Sequence, residues 1–118
     1  MNRFYFDESH GVKPGGRRIE VPAGLARKGE LLDFLARAFP LPAYFGHNWD
    51  ALEECLLDLE WLTSPEVALV HHDIPLAATP PDRRLYLRIL AAAAGASPRL
   101  HVTFPAADRA VIEKLLVR

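Results

Sequence analysis

Four consecutive apolar residues, Val67-Ala68-Leu69-Val70, sit between segments of helical periodicity, and no other feature restricts the fold as much. A short apolar run of strand length suits a strand covered on both faces. The turn residues Thr63, Ser64 and Pro65 precede it. Upstream, residues 30–39 place Leu31, Leu32, Leu35 and Phe39 on one stripe before Pro40 and Pro42 end the helix. Asn48 is a good N-cap for a second helix over residues 49–59. Downstream, Thr79-Pro80-Pro81-Asp82 opens a helix, with a Thr cap, prolines in the first turn and an acid at the third position. Leu85, Ile89, Leu90 and Ala93 give that helix its inner face, and Gly95 is its expected stop.

Residues 100–104 (LHVTF) alternate as a strand, and Asp108 can cap a last helix directing Val111, Ile112, Leu115 and Leu116 inward. At the start, residues 3–6 (RFYF) and 17–21 (RRIEV) are strand candidates separated by a turn at Gly11, Pro14, Gly15 and Gly16. Which of them joins the main sheet is left open by the sequence. The order is strand, helix, helix, strand, helix, strand, helix. Strands joined by helical crossovers predict an α/β fold with a small, mainly parallel sheet and helices packed on it.

The 118 residues suit a single domain over 1–118, with a core at about 17–104 and a C-terminal extension at 105–118. The N-terminal segment lacks the apolar stretch of a secretory signal, and no apolar run reaches the roughly 20 residues that span a bilayer. One cysteine, Cys55, excludes an internal disulfide and fits a reducing compartment. The expected location is the cytoplasm, with no membrane partner.

A net charge of −1 conceals a strong segregation. Residues 38–82 contain no Lys or Arg, yet carry Asp50, Glu53, Glu54, Asp58, Glu60, Glu66, Asp73 and Asp82. All fourteen basic residues lie outside that block. Phosphate binding needs Lys and Arg, so nucleic acid is not an expected direct partner. A basic protein is. At 100° per residue, Leu52, Cys55, Leu56 and Leu59 form the inner stripe of the second helix. Asp50 and Glu54 fall opposite, with Glu53 and Asp58 on the flanks. Like charges at i, i+4 cost about 0.2–0.5 kcal/mol each, so helix stability does not explain this face. A solvated surface is the plain alternative. Tyr44, Phe45 and Trp49 surround its start, as anchors of a protein interface do. Phe45 and Trp49 also suit a core role at the sheet edge, whereas Tyr44 is expected to be exposed.

Residues 41–59 (LPAYFGHNWDALEECLLDL) closely resemble the barstar family of intracellular ribonuclease inhibitors. The matching pattern is a Pro before Tyr44, Phe45, Gly46, Asn48, Asp50, Ala51, Leu52, Cys55 and Leu56. Similarity continues more weakly through LLDFLARAF and VALVH. The resemblance implies a three-stranded parallel sheet with helices, to which this chain would add a C-terminal helix and have room for an N-terminal strand. It also implies a loop and helix that plug the cleft of a basic extracellular or toxin-type ribonuclease. On that reading Tyr44 meets the catalytic histidine, while Asp50 and Glu54 replace RNA phosphates. Gly46 and Asn48 shape the loop, and Trp49 and Glu53 complete the partner-binding set. Glu54 stands where the family has Asp, Glu53 where it has Trp, and Trp49 where it has Leu. The resemblance implies no catalytic residue, metal or cofactor, and a monomer is the expected state.

Two other readings stay open. A non-inhibitory adaptor of this fold could bind another basic protein. A small hydrolase would use His71, His72 and Asp73 at a strand end. Adjacent residues on a strand point to opposite sides, so the two histidines are not expected to converge, and one of them should be packed. Cys55 lies on the apolar stripe and is expected to be buried and inert.

Overall fold

The computed structural model describes residues 4–6, 14–39, 48–59 and 62–117. The strands are β1 (Phe4–Tyr5), β2 (Arg17–Val21), β3 (Val67–His71) and β4 (Leu100–Thr103). The helices are α1 (Lys28–Ala38), α2 (Trp49–Leu57), α3 (Pro80–Ala96) and α4 (Arg109–Leu116), with a 3₁₀ turn at Ala106–Asp108. All strand pairs are parallel, in the order β1-β4-β3-β2. The α/β expectation therefore holds, and both N-terminal runs join the sheet, one at each edge.

β3 is interior and buried at every position, as its unbroken apolar run requires. β2, on the edge, buries Ile19 and Val21 while Arg17, Arg18 and Glu20 face out. The register sets Ile19 beside Leu69, Val21 beside His71 and Leu69 beside Val102. These side chains share the face that the helices cover, since His71 there reaches Tyr86 of α3. One core cluster runs from Phe4 through Leu32, Leu52, Leu69 and Leu90 to Ile112.

Several element ends differ from expectation, each for a local reason. α1 starts at Lys28, not residue 30, because Glu30 folds back to accept the N–H groups of Ala26 (3.0 Å) and Arg27 (3.1 Å). α3 continues through Gly95 to Ala96, since an exposed mid-helix glycine costs only about 1 kcal/mol. Thr79 makes no side-chain cap bond, and its Oγ1 is buried without a partner. Of the expected inner face of α3, Ile89, Leu90 and Ala93 are buried but Leu85 is exposed, and Tyr86 and Leu87 are buried instead. Val111 is likewise exposed, because the short α4 buries Ile112 with Leu115 and Leu116 partly covered, and Val111 sits about 100° off that line.

Three arginines fasten connections by donating to backbone carbonyls. Arg17 reaches Ala38 O at the end of α1 (2.6 Å). Arg83 holds Ile74 O (2.8 Å) and Pro75 O (2.9 Å) before α3. Next to them Leu76 has φ of 71°, rare for leucine, and is secured by full burial and an N–H bond to Leu25 O (2.8 Å). Arg99 gathers the carbonyls of Leu59, Leu62, Ser64 and Pro65, which connect α2 to β3.

Candidate partner-binding face

The side chain of Asn48 caps α2, its Oδ1 accepting the N–H of Ala51 at 2.8 Å. Leu52, Cys55, Leu56 and Leu59 are buried as the helical spacing demands. Asp50, Glu54 and Asp58 are exposed on the outer side and Glu53 is half-buried. Among the described residues, no ion pair involves Asp50, Glu53 or Glu54.

The other described acids of the block have internal tasks. Glu66 is buried beside His101 at 3.3 Å, Asp73 accepts the N–H of Gly24 at 3.1 Å, and Asp82 accepts the indole N–H of Trp49 at 3.2 Å. Glu60 lies outside the described residues. The long acidic stretch of sequence thus narrows to one helix. Basic groups are engaged elsewhere: Arg17, Arg83 and Arg99 on carbonyls, Arg18 on Glu20, and Arg109 on Glu113. Asp50, Glu53 and Glu54 thus meet no cation among the described residues.

Trp49 departs from its expected place on the partner surface. It is 8% exposed, with its ring 6.1 Å from that of Tyr86 and the Lys28 ammonium 5.7 Å over it. A buried indole needs an acceptor for its N–H, and Asp82 provides one. Position in sequence beside Asp50 does not give position on the same surface, because successive helical residues diverge by about 100°. Tyr44, Phe45 and Gly46 lie outside the described residues.

Cys55 is 1% exposed, and burial pushes its thiol upward, with Glu54 and Asp58 adding to the effect. It is a packing residue. The hydrolase set does not assemble. His71 is buried; its Nδ1 lies 3.1 Å from Thr103 O, which can only accept, so Nδ1 carries the proton. The bare Nε2 then accepts from the Tyr86 hydroxyl at 2.7 Å, and the ring stacks on Phe104 at 4.1 Å. His72 points the other way, exposed, 2.8 Å from Glu20. A cleft of about 150 Å³ at the strand ends is bordered by both histidines, together with Arg18, Glu20 and Thr103, but the Nδ1 and Nε2 of His71 are taken up by Thr103 O and Tyr86. Asp73 is not among its described lining residues. Among the described residues no group of three His, Cys, Asp or Glu side chains could hold a metal, and no helix is long and apolar enough to cross a membrane.

The sequence contained the anionic helix but hid the roles of Asp82 and Arg99. Their partners lie 33 to 40 residues away and are brought near only by tertiary packing.

Fold and face together describe a parallel α/β domain whose second helix turns unpaired carboxylates to the outside. The family described as Barstar (barnase inhibitor) matches residues 21–107, so the chain belongs to the barstar family. That span runs from the last residue of β2 through β4 into the 3₁₀ turn, and leaves β1 and α4 outside it. Comparison with curated proteins gives no match.

Proposed function

We propose that this chain is a cytoplasmic, non-enzymatic inhibitor of a barnase-type ribonuclease or ribonuclease toxin. Its α2 face would occupy the enzyme's cleft in place of an RNA backbone. The observation that carries the reading is the exposure of Asp50 and Glu54 on a capped, packed helix with no cation paired to them among the described residues. Family membership supports it.

A ribonuclease cleft is cationic because it must bind phosphates and stabilise charge that develops during cleavage. Carboxylates already fixed on a helix fill those positions without the cost of ordering a flexible segment, and offer no bond to cleave. Asp50 and Glu54 would take the phosphate positions, with Glu53 and Asn48 beside them. Tyr44 and Gly46 enter through the family resemblance. Glu54 reaches one methylene further than the family's Asp, which selects a cleft whose cations lie correspondingly deeper.

Titration against barnase-type ribonucleases, or a toxin encoded beside this chain, tests the proposal by RNA cleavage. Wild type is expected to inhibit at near-stoichiometric ratio. Asp50→Ala and Glu54→Ala should each weaken inhibition by about 2–5 kcal/mol, a range that already includes the barnase–barstar interface. Both variants should retain the wild-type circular dichroism and thermal midpoint. If neither change alters inhibition by an enzyme that wild type blocks, the reading is wrong.

A further inference from the structure

We infer that Trp49 and Asp82 form a latch that positions the N-terminal end of α2, and with it the Asp50 carboxylate, for the partner. This rests on the inhibitor reading above.

Trp49 is the first residue of α2 and directly precedes Asp50. Its indole N–H donates to Asp82 Oδ1 at 3.2 Å, a partly buried bond to the first turn of α3. The ring also meets Tyr86, one turn further along α3. Tyr86 in turn donates to His71 on β3, and His71 to the carbonyl of Thr103 on β4. The start of α2 is thereby referenced to α3 by one hydrogen bond and a ring contact, and through Tyr86 and His71 to two interior strands of the sheet. Asn48 fixes the helix's own first turn by its bond to Ala51. Packing alone leaves a helix free to roll about its axis by small amounts. A directional N–H bond at the terminal residue removes that freedom where Asp50 is attached. Asp82 belongs to the acidic block but does not face outward with α2; its carboxylate acts on the face from behind.

The experiment compares Asp82→Asn, Asp82→Ala and Trp49→Phe, each alone and combined with Asp50→Ala. Readouts are the inhibition constant for a blocked ribonuclease, the urea midpoint, and hydrogen exchange of the Trp49 indole N–H. Asp82→Asn keeps an Oδ1 acceptor and should inhibit as wild type does. Asp82→Ala and Trp49→Phe should each weaken inhibition about ten-fold, the scale of coupling between neighbouring groups. In the Asp50→Ala background the same changes should have almost no effect on inhibition, because the group being positioned is gone. A purely structural role would lower inhibition equally in both backgrounds, and that result overturns the inference. So does an indole N–H that exchanges in wild type as fast as an exposed tryptophan. A protected indole in a wild-type protein that inhibits no ribonuclease would identify the inhibitor reading as the failure, and the positioning role falls with it.

Discussion

His71 is an imidazole that the fold keeps neutral. Burial holds its pKa down to about 3 against an ordinary 6.5, opposed only in part by its hydrogen bond to Thr103 O. The unfolded chain therefore takes up a proton on this side chain as pH falls through about 6.5, while the folded chain does not. Stability from this source is intact above about pH 6.5 and declines toward pH 3 by roughly 1.4 kcal/mol per unit. Urea denaturation at a series of pH values between 7 and 4 should show that slope in wild type. His71→Gln, which can still donate and accept, should flatten it. Glu20, drawn low by His72 and then Arg18, acts in the same direction, but only below the ordinary carboxylate value of 4.5. That one of the two histidines packs was legible in the sequence, because neighbours on a strand point oppositely, though not that it is His71. Its bond to Tyr86 was not, since that pairing depends on how α3 lies on β3. Trp49 marks the same limit: the sequence left both a core and a partner-surface role open to it, and its burial against α3 was not legible.

At the scale of elements, the four α-helices and the strands β3 and β4 were readable from apolar spacing, including the burial of Leu52, Cys55, Leu56 and Leu59 on α2. Phase and ends were less so. Leu85 and Val111 are exposed at the margins of stripes whose other expected members, Ile89, Leu90 and Ala93 on α3 and Ile112, Leu115 and Leu116 on α4, face the core. The link after α2 depends on Arg99, whose guanidinium donates to Leu59 O (3.0 Å), Leu62 O (2.9 Å), Ser64 O (2.8 Å) and Pro65 O (3.2 Å). α2 has no basic residue in its own last turn, so Arg99 also brings positive charge near its negative end. Lysine has no planar fork with which to serve four acceptors. Arg99→Lys should cost about 2 kcal/mol in chemical denaturation. It should also raise amide hydrogen exchange between α2 and β3, while exchange in β2 stays at the wild-type rate.

For the whole molecule, the acidic block of the sequence leaves one anionic helix face. Asp50, Glu53 and Glu54 stand together on α2, while Arg83 and Arg99 are held by backbone carbonyls of connecting segments. An asymmetric field of this kind accelerates encounter with a cationic protein and is screened by salt. Stopped-flow association with an inhibited ribonuclease should therefore slow by at least about ten-fold between low and high ionic strength, with a much smaller change in dissociation. A rate indifferent to salt would deny α2 this role. The topology was legible as far as the right-handed run of crossovers reaches, from β2 to β4. Joining β1 to β4 was not, because a two-residue strand leaves almost no periodic trace. That small strand nevertheless shapes how copies of the chain meet. One border of the sheet ends in only Phe4–Tyr5, and the other displays Arg17, Arg18 and Glu20. Stubby or charged margins are poor templates for adding a further strand. Accumulation of this protein to high concentration would then carry little risk of fibrous stacking.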